Sequence, residues 1–185
     1  PQQGDAIDYA YCLNMTQAEG QGDSFDINRY IPQVQRNVLL LAGENGFEDA
    51  TEAMGVSESY WSWNAKAADL DNDGWLDIYV ANGIPHTQGS SEIHTNVFFH
   101  NQAGKRFERA EKEFGLEDYI NTPGYVYIDY DLDGDLDVIS TAVIGPVRVF
   151  ENTESENHAI SIELRDALGN RFGIGSKVII GFADG

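Results

Sequence analysis

Asp69-Leu70-Asp71-Asn72-Asp73-Gly74-Trp75-Leu76-Asp77 recurs further along the chain as Asp129-Tyr130-Asp131-Leu132-Asp133-Gly134-Asp135-Leu136-Asp137. Both copies have the form D-x-D-x-D-G-x-L-D, and their first residues are 60 positions apart. Carboxylates on alternate residues repel one another unless positive charge lies between them. Glycine at the sixth position lets the chain turn back, so that oxygen ligands can wrap a hard cation. By position, Asp69, Asp71, Asp73 and Asp77 offer carboxylates and Trp75 a backbone carbonyl. In the second copy Asp129, Asp131, Asp133 and Asp137 play those parts, with the Asp135 carbonyl at the seventh place. An oxygen-only set of this kind suits calcium, giving two sites. Magnesium demands a stricter octahedron and keeps more water, and zinc or copper favours His or Cys, which both loops lack. An EF-hand needs a bidentate Glu at the twelfth position, and that place holds Val80 and Ser140. The ions are expected to be structural: coordination replaces carboxylate repulsion, and binding energy becomes folding energy.

The surrounding sequence repeats in phase with the loops. Asn37-Val38-Leu39-Leu40 aligns with Asn96-Val97-Phe98-Phe99. The segment around Phe47 aligns with that around Phe107, and Glu52-Ala53-Met54-Gly55-Val56 aligns with Lys112-Glu113-Phe114-Gly115-Leu116. A third copy begins at Pro146-Val147-Arg148-Val149-Phe150-Glu151-Asn152. Runs 65–68 and 125–128 read as strands entering the acidic loops, and runs 76–81 and 136–141 as strands leaving them. Runs 97–100 and 106–110 follow, all enriched in β-branched and aromatic residues or bounded by turns. A unit of about 60 residues holding four strands suits a propeller blade. The alternative is a two-layer sandwich carrying an accidental repeat. The fold class is therefore read as all-β, a partial β-propeller, with the repeats over 37–156. Residues 1–36 stand outside the repeat and read as part of a preceding blade or an insertion. Residues 83–95 read as an exposed polar loop.

Charge narrows the partners. There are 31 acidic against 11 basic residues, a formal net charge of −20, and nine of the acids lie in the two loops. Two divalent ions would leave about −16. Such a surface repels nucleic acid and anionic membranes. No apolar run approaches the ~18 residues that suggest a membrane span. Cys12 is the only cysteine, so no internal disulfide forms. The chain begins at Pro1 and ends just after a strand-like apolar run, 178–180, which reads as a processed chain or an excised piece.

Loop one, its continuation Ile78-Tyr79-Val80-Ala81-Asn82-Gly83, and Asn96-Val97-Phe98-Phe99-His100-Asn101 with Phe107 behind it resemble the FG-GAP/VCBS repeat of integrin-like β-propellers. Asn157-His158-Ala159-Ile160-Ser161-Ile162-Glu163-Leu164, leading to Asn170-Arg171-Phe172-Gly173-Ile174-Gly175-Ser176-Lys177-Val178, is similar to the ASPIC/UnbV domain. That domain follows such repeats in bacterial UnbV-type proteins and in cartilage acidic protein. The resemblance implies a calcium-bearing propeller on an extracytoplasmic protein, with residues 157–185 opening the tail domain. Propellers of this family close with more blades than the roughly two and a half present here. The missing blades would come from elsewhere, from a second copy or from another chain.

Other candidates are weaker. His86 and His94 share one polar loop and read as ordinary exposed histidines rather than a second metal site, and packing accounts for His100. The glycines of 169–175 read as turn residues, because no P-loop Lys-Ser/Thr pair follows. Tyr60, Trp61 and Trp63 are expected to be buried blade core rather than a sugar platform. Asn14-Met15-Thr16 is a glycosylation sequon. The reading is a calcium-binding propeller module of an extracytoplasmic binding or adhesion protein, secreted, periplasmic or at the cell surface, with an unknown protein or carbohydrate partner and no catalytic residues assigned. The alternative is part of a propeller-based polysaccharide lyase or hydrolase. A third reading is a structural spacer.

Overall fold

Alternating apolar positions around each acidic loop produce antiparallel strands, and the computed structural model describes residues 36–83, 95–153, 157, 160, 162–165 and 169–181. The readings placed on Cys12, Asn14, His86, His94 and His158, and on all of 1–35, lie outside the described residues. The first sheet pairs β1 (Leu40–Gly43) with β2 (Gly46–Asp49). A one-turn helix, α1 (Thr51–Met54), follows and is closed by Gly55 at φ 77°. The second sheet is a four-stranded meander of β3 (Ser62–Ala68), β4 (Asp77–Asn82), β5 (Val97–Asn101) and β6 (Phe107–Arg109). The third joins β7 (Gly124–Ile128), β8 (Asp137–Thr141) and β9 (Arg148–Phe150). The chain is all-β, and its sheets are blades stacked face to face.

Period-two alternation assigns the two faces of the middle blade. Val80, Val97 and Phe99, with Phe107 of their own blade, turn toward the first blade and pack there with Leu39 and Val56. Tyr79 and Phe98, one residue out of phase, turn toward the third blade and pack with Tyr125 and Val138. Tyr79 and Phe98 are both fully buried, and each contributes roughly 1.5–3 kcal/mol by leaving water. The Tyr79 and Tyr125 rings meet edge to face at 4.9 Å. The Tyr125 hydroxyl donates to the Tyr79 carbonyl, the Tyr127 hydroxyl to the Lys66 carbonyl at 3.0 Å, and Lys66 Nζ to the Tyr125 carbonyl at 2.8 Å. The polar ends of these side chains are thereby satisfied between blades.

The sequence repeat is reproduced bond for bond. The Ala50 N–H donates to the Leu39 carbonyl and the Ala110 N–H to the Phe98 carbonyl, both at 2.9 Å. Thr51 Oγ1 accepts the Leu39 N–H at 2.7 Å, and Glu111 Oε2 accepts the Phe98 N–H at 3.4 Å. Gly115, at φ 67°, closes its turn as Gly55 does. On the far face of the third blade Val126, Ile139 and Val149 stand in one register row. Val126 and Val149 are about half exposed, at 49% and 51%. This row lies on the side where, in the middle blade, Tyr79 receives the following sheet.

Two expectations are corrected. Tyr60 and Trp63 are exposed rather than buried, at 39% and 40%, and Trp61 is half-buried. The inward places there are taken by Ser59 and Ser62, whose hydroxyls are 2.6 Å apart, and by Asn37, whose Nδ2 donates to Ser59 Oγ at 2.7 Å. That polar set leaves the aromatics outside, with Trp63 Nε1 donating to the Gly83 carbonyl at 2.6 Å. The apolar run 178–180 forms no strand, and among the described residues no strand follows Phe150. The glycines of 169–175 do serve turns: Gly169, Gly173 and Gly175 all have positive φ.

Candidate metal centre

Both acidic loops join the first two strands of a blade, β3 to β4 and β7 to β8. Their backbones turn at the same two places. The fourth position is left-handed (Asn72 φ 55°, Leu132 φ 66°), and so is the sixth (Gly74 φ 89°, Gly134 φ 101°). These reversals break the strand alternation, which would send successive carboxylates to opposite sides, and gather them instead. Single ligand oxygens of Asp69, Asp71 and Asp77 lie within 4.8 Å of one another, as do those of Asp129, Asp131 and Asp137.

The remaining predicted ligands occupy distinct places. Asp69 accepts the Asp73 N–H at 3.0 Å and the Gly74 N–H at 2.9 Å, and Asp73 Oδ1 accepts the Trp75 N–H at 2.8 Å. Asp133 Oδ1 accepts the Asp135 N–H at 3.2 Å. Trp75 contributes its ring to the β5–β6 hairpin: a Cβ built on Gly104 would lie 2.3 Å from it. Asp135, expected to offer only its carbonyl, also buries its side chain at 6% exposure, with Oδ1 lacking a hydrogen-bond partner.

Asp77 and Asp137, at the ninth place, are buried latches as well as candidate ligands. Asp77 Oδ2 accepts the Leu70 N–H at 3.1 Å and Oδ1 the Asn101 N–H at 2.8 Å. Asp137 repeats this with the N–H groups of Tyr130, at 3.0 Å, and Asn152, at 2.9 Å. Asn101 and Asn152 are thus equivalent, Asn101 closing β5 and Asn152 lying two residues beyond β9. Asn152 does one thing more: its Nδ2 donates to the Leu70 carbonyl of loop one at 2.6 Å.

The electrostatics are those of crowded carboxylates. Burial pushes the Asp77 carboxyl up to about 7, against the opposing pull of the Asn101 and Leu70 N–H groups. Burial, reinforced by Asp133, pushes Asp135 up to about 6. Asp69 and Asp73 are raised chiefly by burial, and Asp131 by desolvation and by Asp133. Asp129 Oδ1 is buried without a hydrogen-bond partner. Orphaned anionic oxygens in an all-oxygen cluster fit a hard divalent cation, which would satisfy them at once. The residues that would hold it are Asp69, Asp71, Asp73, Asp77 and the Trp75 carbonyl in loop one. In loop two they are Asp129, Asp131, Asp133, Asp137 and the Asp135 carbonyl.

His100 was assigned to packing from the sequence, and its ring does pack on Phe114 with centroids 5.0 Å apart. It also reaches loop one, with Nε2 at 2.9 Å from Asp71 Oδ2, and its ligand nitrogen groups with oxygens of Asp71 and Asp73. The available signal was its position immediately before Asn101, the residue that Asp77 latches to the loop. No helix among the described residues is long and apolar enough to cross a membrane. No curated protein matches the chain. Residues 31–80 match the FG-GAP-like repeat, a stretch running from before β1 through loop one into β4, and this repeat fits the propeller-blade architecture seen here.

Proposed function

We propose that the chain is a calcium-bearing β-propeller segment of an extracytoplasmic binding or adhesion protein, in which calcium is structural. The observation that carries this reading is the duplicated convergence of Asp69, Asp71 and Asp77 and of Asp129, Asp131 and Asp137, with Asp129 Oδ1 orphaned and buried. Each loop fastens the first two strands of a blade at one end. Neutralising its carboxylates removes a local repulsion that the fold otherwise bears. The FG-GAP-like repeat at 31–80 supports the propeller setting. The loops at blade ends are where a protein or carbohydrate partner would touch, because they vary on a rigid scaffold. The half-exposed row Val126–Ile139–Val149 would be covered by a further blade. The tail from residue 157, similar to ASPIC/UnbV, would follow the blades as a separate domain.

Thermal unfolding in EDTA, with calcium or magnesium then restored at fixed ionic strength, tests the structural role. A calcium-specific rise in Tm saturating at two ions per chain supports the reading. The absence of any shift with either ion overturns it.

A further inference from the structure

The two loops share a backbone but differ in the side chains brought to them. At the position before the latched asparagine, loop one has His100 and loop two has Glu151. Glu151 is engaged elsewhere, its Oε2 accepting the Tyr130 hydroxyl at 3.0 Å. At the seventh position loop one has Trp75, whose ring lies against Gly104, away from any ligand role. Loop two has Asp135, buried, with an unpartnered oxygen.

We propose that loop one, alone of the two, also accepts a borderline divalent cation of the cobalt or zinc class, held by Asp71, Asp73 and His100 in competition with calcium, while loop two is an all-oxygen site for a hard cation only. The proposal rests on loop one being a cation site, but not on calcium being its ion.

Geometry and ligand chemistry carry it. The three donor atoms come from two elements, loop one and β5, and lie within 4.8 Å of one another, close enough for one ion to touch all three. Imidazole raises affinity for later first-row metals far more than for calcium. The ring is oriented from behind: Gln102 Nε2 lies 3.0 Å from His100 Nδ1, while Phe98 and Phe114 pack on the ring. With its amide turned, Gln102 would accept an Nδ1–H, as outer partners of metal-bound histidines do. Nε2, now 2.9 Å from Asp71 Oδ2, would then turn its lone pair to an ion shared with that carboxylate. Asp71 belongs to both groupings in loop one, so a borderline ion there competes with calcium for the same carboxylate.

Cobalt(II) is the probe, titrated into the full chain and into His100→Gln and Asp129→Asn, with binding read calorimetrically and by visible absorption. Circular dichroism confirms that each variant is folded. The expected result is one cobalt site in the wild type that survives Asp129→Asn and weakens about tenfold or more in His100→Gln. Calcium titrations on the same variants separate the two readings. A wild-type chain that binds cobalt but takes no calcium sinks the calcium reading and leaves this one standing. On the unmutated chain, paramagnetic broadening of the His100 ring signals supports the proposal. Cobalt binding equal in wild type and His100→Gln, or no broadening at His100, overturns it.

Discussion

Asp77 holds Asn101 by its backbone: Oδ1 accepts the Asn101 N–H at 2.8 Å, and Oδ2 of the same buried carboxylate accepts the Leu70 N–H at 3.1 Å. One side chain therefore ties the acidic loop to the strand two places along the blade. Asp77→Asn would present an amide NH2 to one of these N–H donors and leave it unsatisfied. The expected cost is about 1–3 kcal/mol. Urea denaturation in EDTA should show it, whereas Asp131→Asn, at an exposed place in loop two, should change metal-free stability far less.

The raised carboxyls predict an unusual pH profile for the metal-free protein. Asp77 titrates near about 7 and Asp135 near about 6 when folded, both above the ordinary value of 3.8. The folded state thus binds protons more tightly than the unfolded one. Their stabilising contribution is complete below about pH 4 and is lost as pH rises toward about 7. In EDTA, Tm should be higher near pH 5 than near about pH 8. Saturating calcium, which favours the ionised carboxylates, should flatten or invert that slope.

Leu132 adopts φ 66° with its side chain 84% exposed, so it bears left-handed strain without burial to offset it. Loop one has Asn72 at the same place, a residue that tolerates this conformation better. Leu132→Asn is expected to stabilise the protein by about 1 kcal/mol, and reversible unfolding with and without calcium measures the gain.

Gly104 combines φ 74° with a Cβ position only 2.3 Å from the Trp75 ring. Gly104→Ala must therefore strain the hairpin and push Trp75 aside. A loss of about 1–2 kcal/mol is expected from the backbone alone. A shift in tryptophan emission that disappears in a Trp75→Phe background would locate the effect in loop one.

Much of this arrangement is legible in the sequence, for identifiable reasons. The loops declare themselves because spaced aspartates with a sixth-position glycine have few uses. The strands beside them are legible because Ile78, Val80 and their neighbours alternate faces with period two. What escapes is whatever depends on contacts made only once a blade has folded. His100 and Asp71 are 29 residues apart and meet only through the β4–β5 pairing. The burial of Asp135 follows from crowding inside a folded loop, not from its place in a motif. Tyr60 and Trp63 were assigned to the core on residue type, but Asn37, Ser59 and Ser62 fill the inward places by hydrogen bonding one another. The strand-like run 178–180 shows that β propensity alone does not make a strand where, among the described residues, no strand pairs with it.

Asn152 gives its backbone N–H to Asp137 of loop two and its side-chain Nδ2 to the Leu70 carbonyl of loop one. A single residue is thereby shared by the two acidic loops of successive blades. Whatever fixes Asp137 also fixes Asn152, and with it the first turn of the neighbouring loop. If cations fill both loops, occupancy of one is expected to raise affinity at the other, and by reciprocity the same factor runs both ways, a linkage passed from blade to blade. Asn152→Ala should uncouple them, turning a concerted filling of the two loops into independent steps.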